Sequence, residues 1–159
     1  MNLGGLVVLT TKITAVLNST IHAINTVIPV ETEISEPSII VEPFEHASIG
    51  VLIGVTGDVL GRLFIEMDRA TVGRLGEFMF HMPLSDELLE SFAAELGNMV
   101  AGNLSTHLSN KKIEMEITPP TVISGESLMY GFNKAFNLTF QLKDIGKLTI
   151  ILMIENEPS

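Results

Sequence analysis

The sequence contains no cysteine. That absence removes disulfide bridges, thiolate nucleophiles and zinc–thiolate sites together, and it suits a cytoplasmic protein. Basic residues are scarce: nine Lys and Arg stand against nineteen Asp and Glu, a formal charge of −10. Such a surface repels phosphate backbones and anionic lipid, so neither nucleic acid nor a membrane is expected as a partner. Long apolar runs are missing as well. Residues 148–154, interrupted by Thr149, fall far short of the ~20 residues that cross a bilayer. The opening MNLGGLVVLTTK has an apolar patch but no basic residues ahead of it and no clear cleavage signal, so no secretory leader is expected. The glycines of the first half lack the strand-to-helix setting and Lys-Ser/Thr ending of a phosphate loop, and there is no nucleophile elbow.

What is present is a globular composition. Of the 159 residues, 46% are hydrophobic and 18% charged, which argues for one domain, 1–159, with a real core and against disorder. Apolar residues at Ile13, Val16, Leu17, Ile21, Ile24 and Ile28 predict a helix over 11–28, ended by Pro29. Residues 30–43 read as an extended connection with one irregular strand, and 48–67 as a hairpin about Thr56-Gly57-Asp58. Asp68 is placed to cap a shorter helix reaching about Phe80. After the long helix described next, 113–117 reads as a short strand ended by Pro119-Pro120, and 124–131 as a surface loop. Phe136, Leu138, Phe140 and Leu142 alternate with polar residues in a clear strand, and 147–155 is apolar on both faces, as for a strand central in a sheet or paired across an interface. Strands joined by tight turns, with helices between, give an α+β two-layer fold: an antiparallel sheet with long helices on one face. Each half supplies a helix and then a hairpin, a hint of duplication.

Residues 85–110 carry the most information. Leu88, Leu89, Phe92, Leu96, Met99, Val100, Leu104 and Leu108 follow the three-and-four spacing of a helix laid on a core. Ser85 stands where an N-cap belongs, and Asp86 and Glu87 put negative charge at the positive end of the helix dipole. A second stripe, Ser91, Glu95, Asn98, Gly102 and Ser105, recurs at steps of four and three and should point outward together. By spacing alone, a solvated helix flank would have the same pattern. The four histidines, His22, His46, His81 and His107, match no metal-ligand spacing, and His107 is expected to be a partly buried packing residue.

The run Ser91-x-x-x-Glu95-x-x-Asn98, followed by Pro119-Pro120 in ITPPTVISG and preceded by the hairpin GVLIGVTGDVLGRLFIEM, resembles the signature of the CheC/CheX/FliY family of chemotaxis phosphatases, most of all its CheX branch. The resemblance covers some four-fifths of the chain and implies a CheC-like fold of two pseudo-symmetric halves. It further implies a phosphatase of phosphorylated CheY-like response regulators, in which Asn98 orients the attacking water and Glu95 docks onto the regulator's lysine. Ser91, Gly102 and Pro120 would support partner binding. Mg²⁺ would be carried by the regulator, with no cofactor or metal belonging to the chain itself, and a homodimer is implied. Only one helix carries the pair: Asn18 and Asn25 of the first helix lack a carboxylate three residues earlier. The other reading is a non-catalytic, flagellar-switch-like module that binds a response regulator; the Glu95/Asn98 pair argues against it, since a pure binder has no need of the carboxamide.

Overall fold

The computed structural model describes residues 3–46 and 48–155, with side chains from residue 11 onward. Along the chain run α1 (Leu3–Val27), the short strands β1 (Thr32–Ile34), β2 (Ser38–Ile40) and β3 (Phe44–His46), and a hairpin of β4 (Ile49–Gly57) and β5 (Gly61–Met67). Then come α2 (Arg69–Phe80), α3 (Asp86–Ser109), a second set of short strands β6 (Met115–Ile117), β7 (Thr121–Ser124) and β8 (Ser127–Met129), and a last hairpin of β9 (Lys134–Leu142) and β10 (Gly146–Ile154).

The helix ends differ in how they are made. Asp68 caps α2 as its position suggests: its carboxylate accepts the Thr71 backbone N–H at 2.7 Å. The backbone bond from Thr71 is the main reason that its carboxyl is held below the usual aspartate range. α2 closes at His81, which turns left-handed (φ 59°) and donates its N–H to Glu77 O at 2.8 Å. Ser85 does have the extended backbone of an N-cap, but its side chain makes no capping bond. There the Leu88 N–H donates to the Ser85 carbonyl at 3.0 Å. α1 starts at Leu3, well before the expected residue 11, because the apolar opening patch continues the helix.

One antiparallel sheet runs in the order β1-β9-β10-β5-β4-β6, with β2 also on β9 and β7 also on β4. Residues 30–43 thus hold two short strands rather than one, and the supposed loop 124–131 holds β8. β10 lies in the middle of the sheet, between β9 and β5, so its second apolar face is spent inside the chain. On the helix side Leu148, Ile150 and Leu152 join the main core; on the other side Ile151 and Met153 join a smaller cluster with Phe64, Met129 and Phe44. The β3–β8 ribbon supplies the cover for that second face.

The halves are related by a pseudo-two-fold between β5 and β10. β1, β2 and β3 begin at 32, 38 and 44, and β6, β7 and β8 at 115, 121 and 127, a constant shift of 83. The pairing is exchanged: the short strands of the first half lie on β9, those of the second half on β4, and β3 pairs β8 across the axis. α1 and α3 pack side by side on the same sheet face. The expected α+β architecture with pseudo-symmetric halves is what the chain adopts.

Candidate functional site

α3 is a rigid platform. Leu89, Phe92, Leu96, Val100, Leu104 and Leu108 are buried against the sheet and its neighbouring helices, and truncating one such leucine costs about 2–5 kcal/mol. Gly97 allows the closest approach: a Cβ there would stand 2.7 Å from Val51 Cγ1 of β4. Toward the C-terminal end α1 leans on α3, where His107 Nδ1 lies 2.8 Å from the buried Ser19 Oγ and the His22 and His107 rings stack at 4.0 Å. His107 is the half-buried packing residue expected of it. Burial, His22 and Lys111 together hold its pKa below the usual histidine range.

The opposite flank is open. Ser91, Glu95 and Asn98 are exposed, and none of the three side chains makes a hydrogen bond or ion pair among the described residues. Gly102 continues the stripe, and a Cβ on it would meet nothing within 4 Å, so helix–helix clearance is not why a glycine stands there. Ser105 departs from the expectation of a uniformly outward stripe, since its hydroxyl turns in and donates to Met115 O of β6 at 2.6 Å. Leu88 and Met99, assigned by spacing to the core face, are instead 49% and 41% exposed. At 100° per residue they lie at the edge of the apolar arc, beside Glu95, and the sheet does not reach that far round. Exposed apolar and polar groups therefore share one strip of α3.

Pro120 stands at the neighbouring sheet edge. Pro119 and Pro120 interrupt the ladder between β6 and β7, and the break is bridged by Thr118, whose N–H donates to Gly54 O at 3.0 Å and whose Oγ1 accepts the Gly54 N–H at 2.8 Å. Pro120 is half-buried there and shapes the edge. Its counterpart under the pseudo-two-fold is Pro37, between β1 and β2. The same shift of 83 puts Lys12 and Ala15 of α1 where α3 has Glu95 and Asn98, so the first helix offers neither the carboxylate nor the carboxamide there; Asn25 is engaged elsewhere, accepting the Thr32 hydroxyl at 2.7 Å.

Sequence reasoning missed an apolar groove between α2 and α3. Phe80, Met82, Leu84, Leu88 and Phe92 line it, Ser91 and Glu95 form one rim, and it encloses about 320 Å³. The available signal was the run Phe80-His81-Met82-Pro83-Leu84, unusually apolar for a helix–helix connection. Among the described residues no three His, Asp or Glu side chains converge as a metal site, and no helix is long and apolar enough to cross a membrane.

Comparison with known proteins bears on the fold and the family. The family profile described as "Chemotaxis phosphatase CheX" matches residues 49–140. The "CheY-P phosphatase CheX" of Thermotoga maritima is 31% identical over 133 residues, 82% of this chain and 84% of that protein. In the crystal structure of the CheX–CheY–BeF₃–Mg²⁺ complex from Borrelia burgdorferi, a chain 26% identical superposes with a TM-score of 0.71 over 91% of this chain and 97% of its own. A CheC-like chemotactic protein of Shewanella oneidensis shares the fold at a TM-score of 0.72 and 24% identity, over 90% and 97% of the two chains. The chain belongs to the CheX family of chemotaxis phosphatases.

Proposed function

We propose that this chain hydrolyses the aspartyl-phosphate of a CheY-like response regulator in chemotaxis signal termination. Asn98 orients the attacking water, and Glu95 pairs with the lysine of the regulator's active site. In the reaction the water oxygen bonds to phosphorus as the aspartyl oxygen–phosphorus bond breaks, and aspartate and inorganic phosphate leave. Mg²⁺ enters with the regulator and supplies charge neutralisation at the phosphoryl oxygens. The carboxamide needs no basicity: held on a packed helix, it accepts a hydrogen bond from the water and limits its approach to the line of attack, a gain in positioning.

The observation that carries this reading is the pairing, on one open flank of a rigid helix, of an unpaired carboxylate and an unpaired carboxamide one turn apart, in a chain of the CheX family. A carboxylate with no cation of its own is available for the partner's ammonium group. Ser91, Gly102 and Pro120 have supporting parts: small groups along the contact strip, and the shape of the adjoining edge. Following phosphate release from phosphorylated regulators with and without the protein tests the proposal; no acceleration with any CheY-like regulator would sink it.

We also propose that the protein acts in the cytoplasm as a homodimer of single-domain chains. β10 is not the contact, being central. The β1/β2 edge of the sheet, where Ile34, Ile39 and Val41 are 40%, 60% and 67% exposed, is the better candidate. Light scattering giving a single 17.3 kDa chain at micromolar concentration would refute pairing.

A further inference from the structure

We propose that the α2–α3 groove is a receptor for one large apolar side chain of the response regulator, and that this contact, added to the Glu95 pair, selects which regulator is dephosphorylated. The inference rests on the phosphatase reading above and extends it to partner choice. Four observations converge. First, the groove is apolar through its floor, where Phe92 is buried and Leu84 half-buried, and its mouth, where Phe80, Met82 and Leu88 are 53%, 58% and 49% exposed. Second, its volume of about 320 Å³ admits an aromatic or branched side chain. Third, its shape is fixed: the Phe80 and Phe92 rings meet edge to face with centroids 5.6 Å apart, and Leu84 fills the space that a Cβ on Gly76 would need. Fourth, two acids of α3 differ in their partners. Glu90 is neutralised by Arg69 at 2.9 Å, whereas Glu95, on the rim, has no cation among the described residues.

The last observation chooses the occupant. A surface that buries apolar area beside an uncompensated carboxylate favours a partner presenting a cation next to an apolar group, because the charge would otherwise be desolvated without a counterpart. A regulator that offers its lysine to Glu95 brings its neighbouring surface over the groove. Seven residues separate Leu88 from Glu95 and ten separate it from Asn98, about 10 Å and 15 Å along the helix axis, which is the separation to be expected between the apolar anchor and the phosphorylated aspartate. Such anchors, sunk in a pocket at the centre of a contact, typically carry a large share of binding energy.

The test is binding of CheY-like receiver domains loaded with beryllofluoride and Mg²⁺, which needs no hydrolysis, by Leu88→Gln, Met82→Gln and, on β8 away from the groove, Leu128→Gln. All three positions are exposed, and equal thermal midpoints would confirm folding. At least a fivefold rise in Kd for the two groove variants, with no change for Leu128→Gln, is expected, along with altered preference across a panel of regulators. Unchanged Kd in both groove variants overturns the proposal, as does a fall in mass from dimer to monomer without a change in Kd, which would make the groove a contact between copies of the chain. Tight binding lost in the groove variants but without phosphate release by the parent protein would retain the groove and reject the phosphatase reading, so the two fail separately.

Discussion

Gly97 and Gly102 lie on one helix, five residues apart, in opposite circumstances: a Cβ on Gly97 would press on Val51 at 2.7 Å, and a Cβ on Gly102 would touch nothing within 4 Å. Gly97 serves the packing of α3 on the sheet. Gly102 costs the helix conformational freedom with no packing return inside the chain, and this isolates its value to contacts outside it.

Gly102→Ala should therefore stabilise the free protein by about 0.5–1 kcal/mol while weakening capture of the phosphorylated regulator. Gly97→Ala should destabilise it by about 1–3 kcal/mol, as overpacking does. Thermal unfolding of both variants, with KM for the regulator, checks the pair; a destabilised Gly102→Ala would overturn the account.

Asn98→Ala should cost about 2–4 kcal/mol of transition-state stabilisation, roughly 30- to 900-fold in rate at saturation, with little change in regulator affinity. Glu95→Ala should raise KM as well as lower the rate, because a charge pair at the interface goes. Identical kinetic signatures for the two would mean that their roles are not separable. Alanine at Asn18 or Asn25 of α1 should leave turnover intact.

The two helix starts give a stability contrast. Asp68→Ala should cost about 0.5–2 kcal/mol, whereas Ser85→Ala, which removes no side-chain bond, should cost only a few tenths. Because the Asp68 carboxyl titrates below its ordinary value, its contribution is present above that value and fades as pH falls through the lower folded one. Chemical denaturation at neutral and acidic pH would read both effects.

His107 supplies a pH dependence of the same sign nearer neutrality. Its folded pKa is depressed, so the unfolded chain takes up the proton first. The stability held by the neutral ring is complete above the ordinary histidine pKa of about 6.5 and is lost as pH falls through the depressed value. Between about pH 8 and pH 5 the unfolding midpoint should drop more steeply for the parent protein than for His107→Gln; parallel curves would count against it.

Elements with a strong period were legible from sequence. The alternation of Phe136 to Leu142 gave β9, and the heptad-like run from Leu89 to Leu108 gave α3. Three-residue strands such as β1 and β8 have no period to detect; β1 forms on the edge of the long β9, and β8 on β3, a strand as short as itself and remote in sequence. The Glu95/Asn98 strip was legible as a stripe, but its apolar companions were not. Whether Leu88 and Met99 are covered depends on how far the sheet and α2 extend around the helix, a tertiary fact. Ser105 was misread for a related reason, since only the fold brings the Met115 carbonyl beneath it.

The exchanged short strands have a kinetic side. Thr32 pairs with Leu142, so the first strand laid down waits for almost the entire chain before it finds its neighbour. Pairings this remote in sequence slow folding, since loop closure must precede the contacts that reward it. On a ribosome the first half emerges with its edge partner still unsynthesised, and the two halves are interlocked only at completion. Neither can be shed without unzipping the other's edge, so a first helix without the Glu–Asn pair remains indispensable as scaffolding.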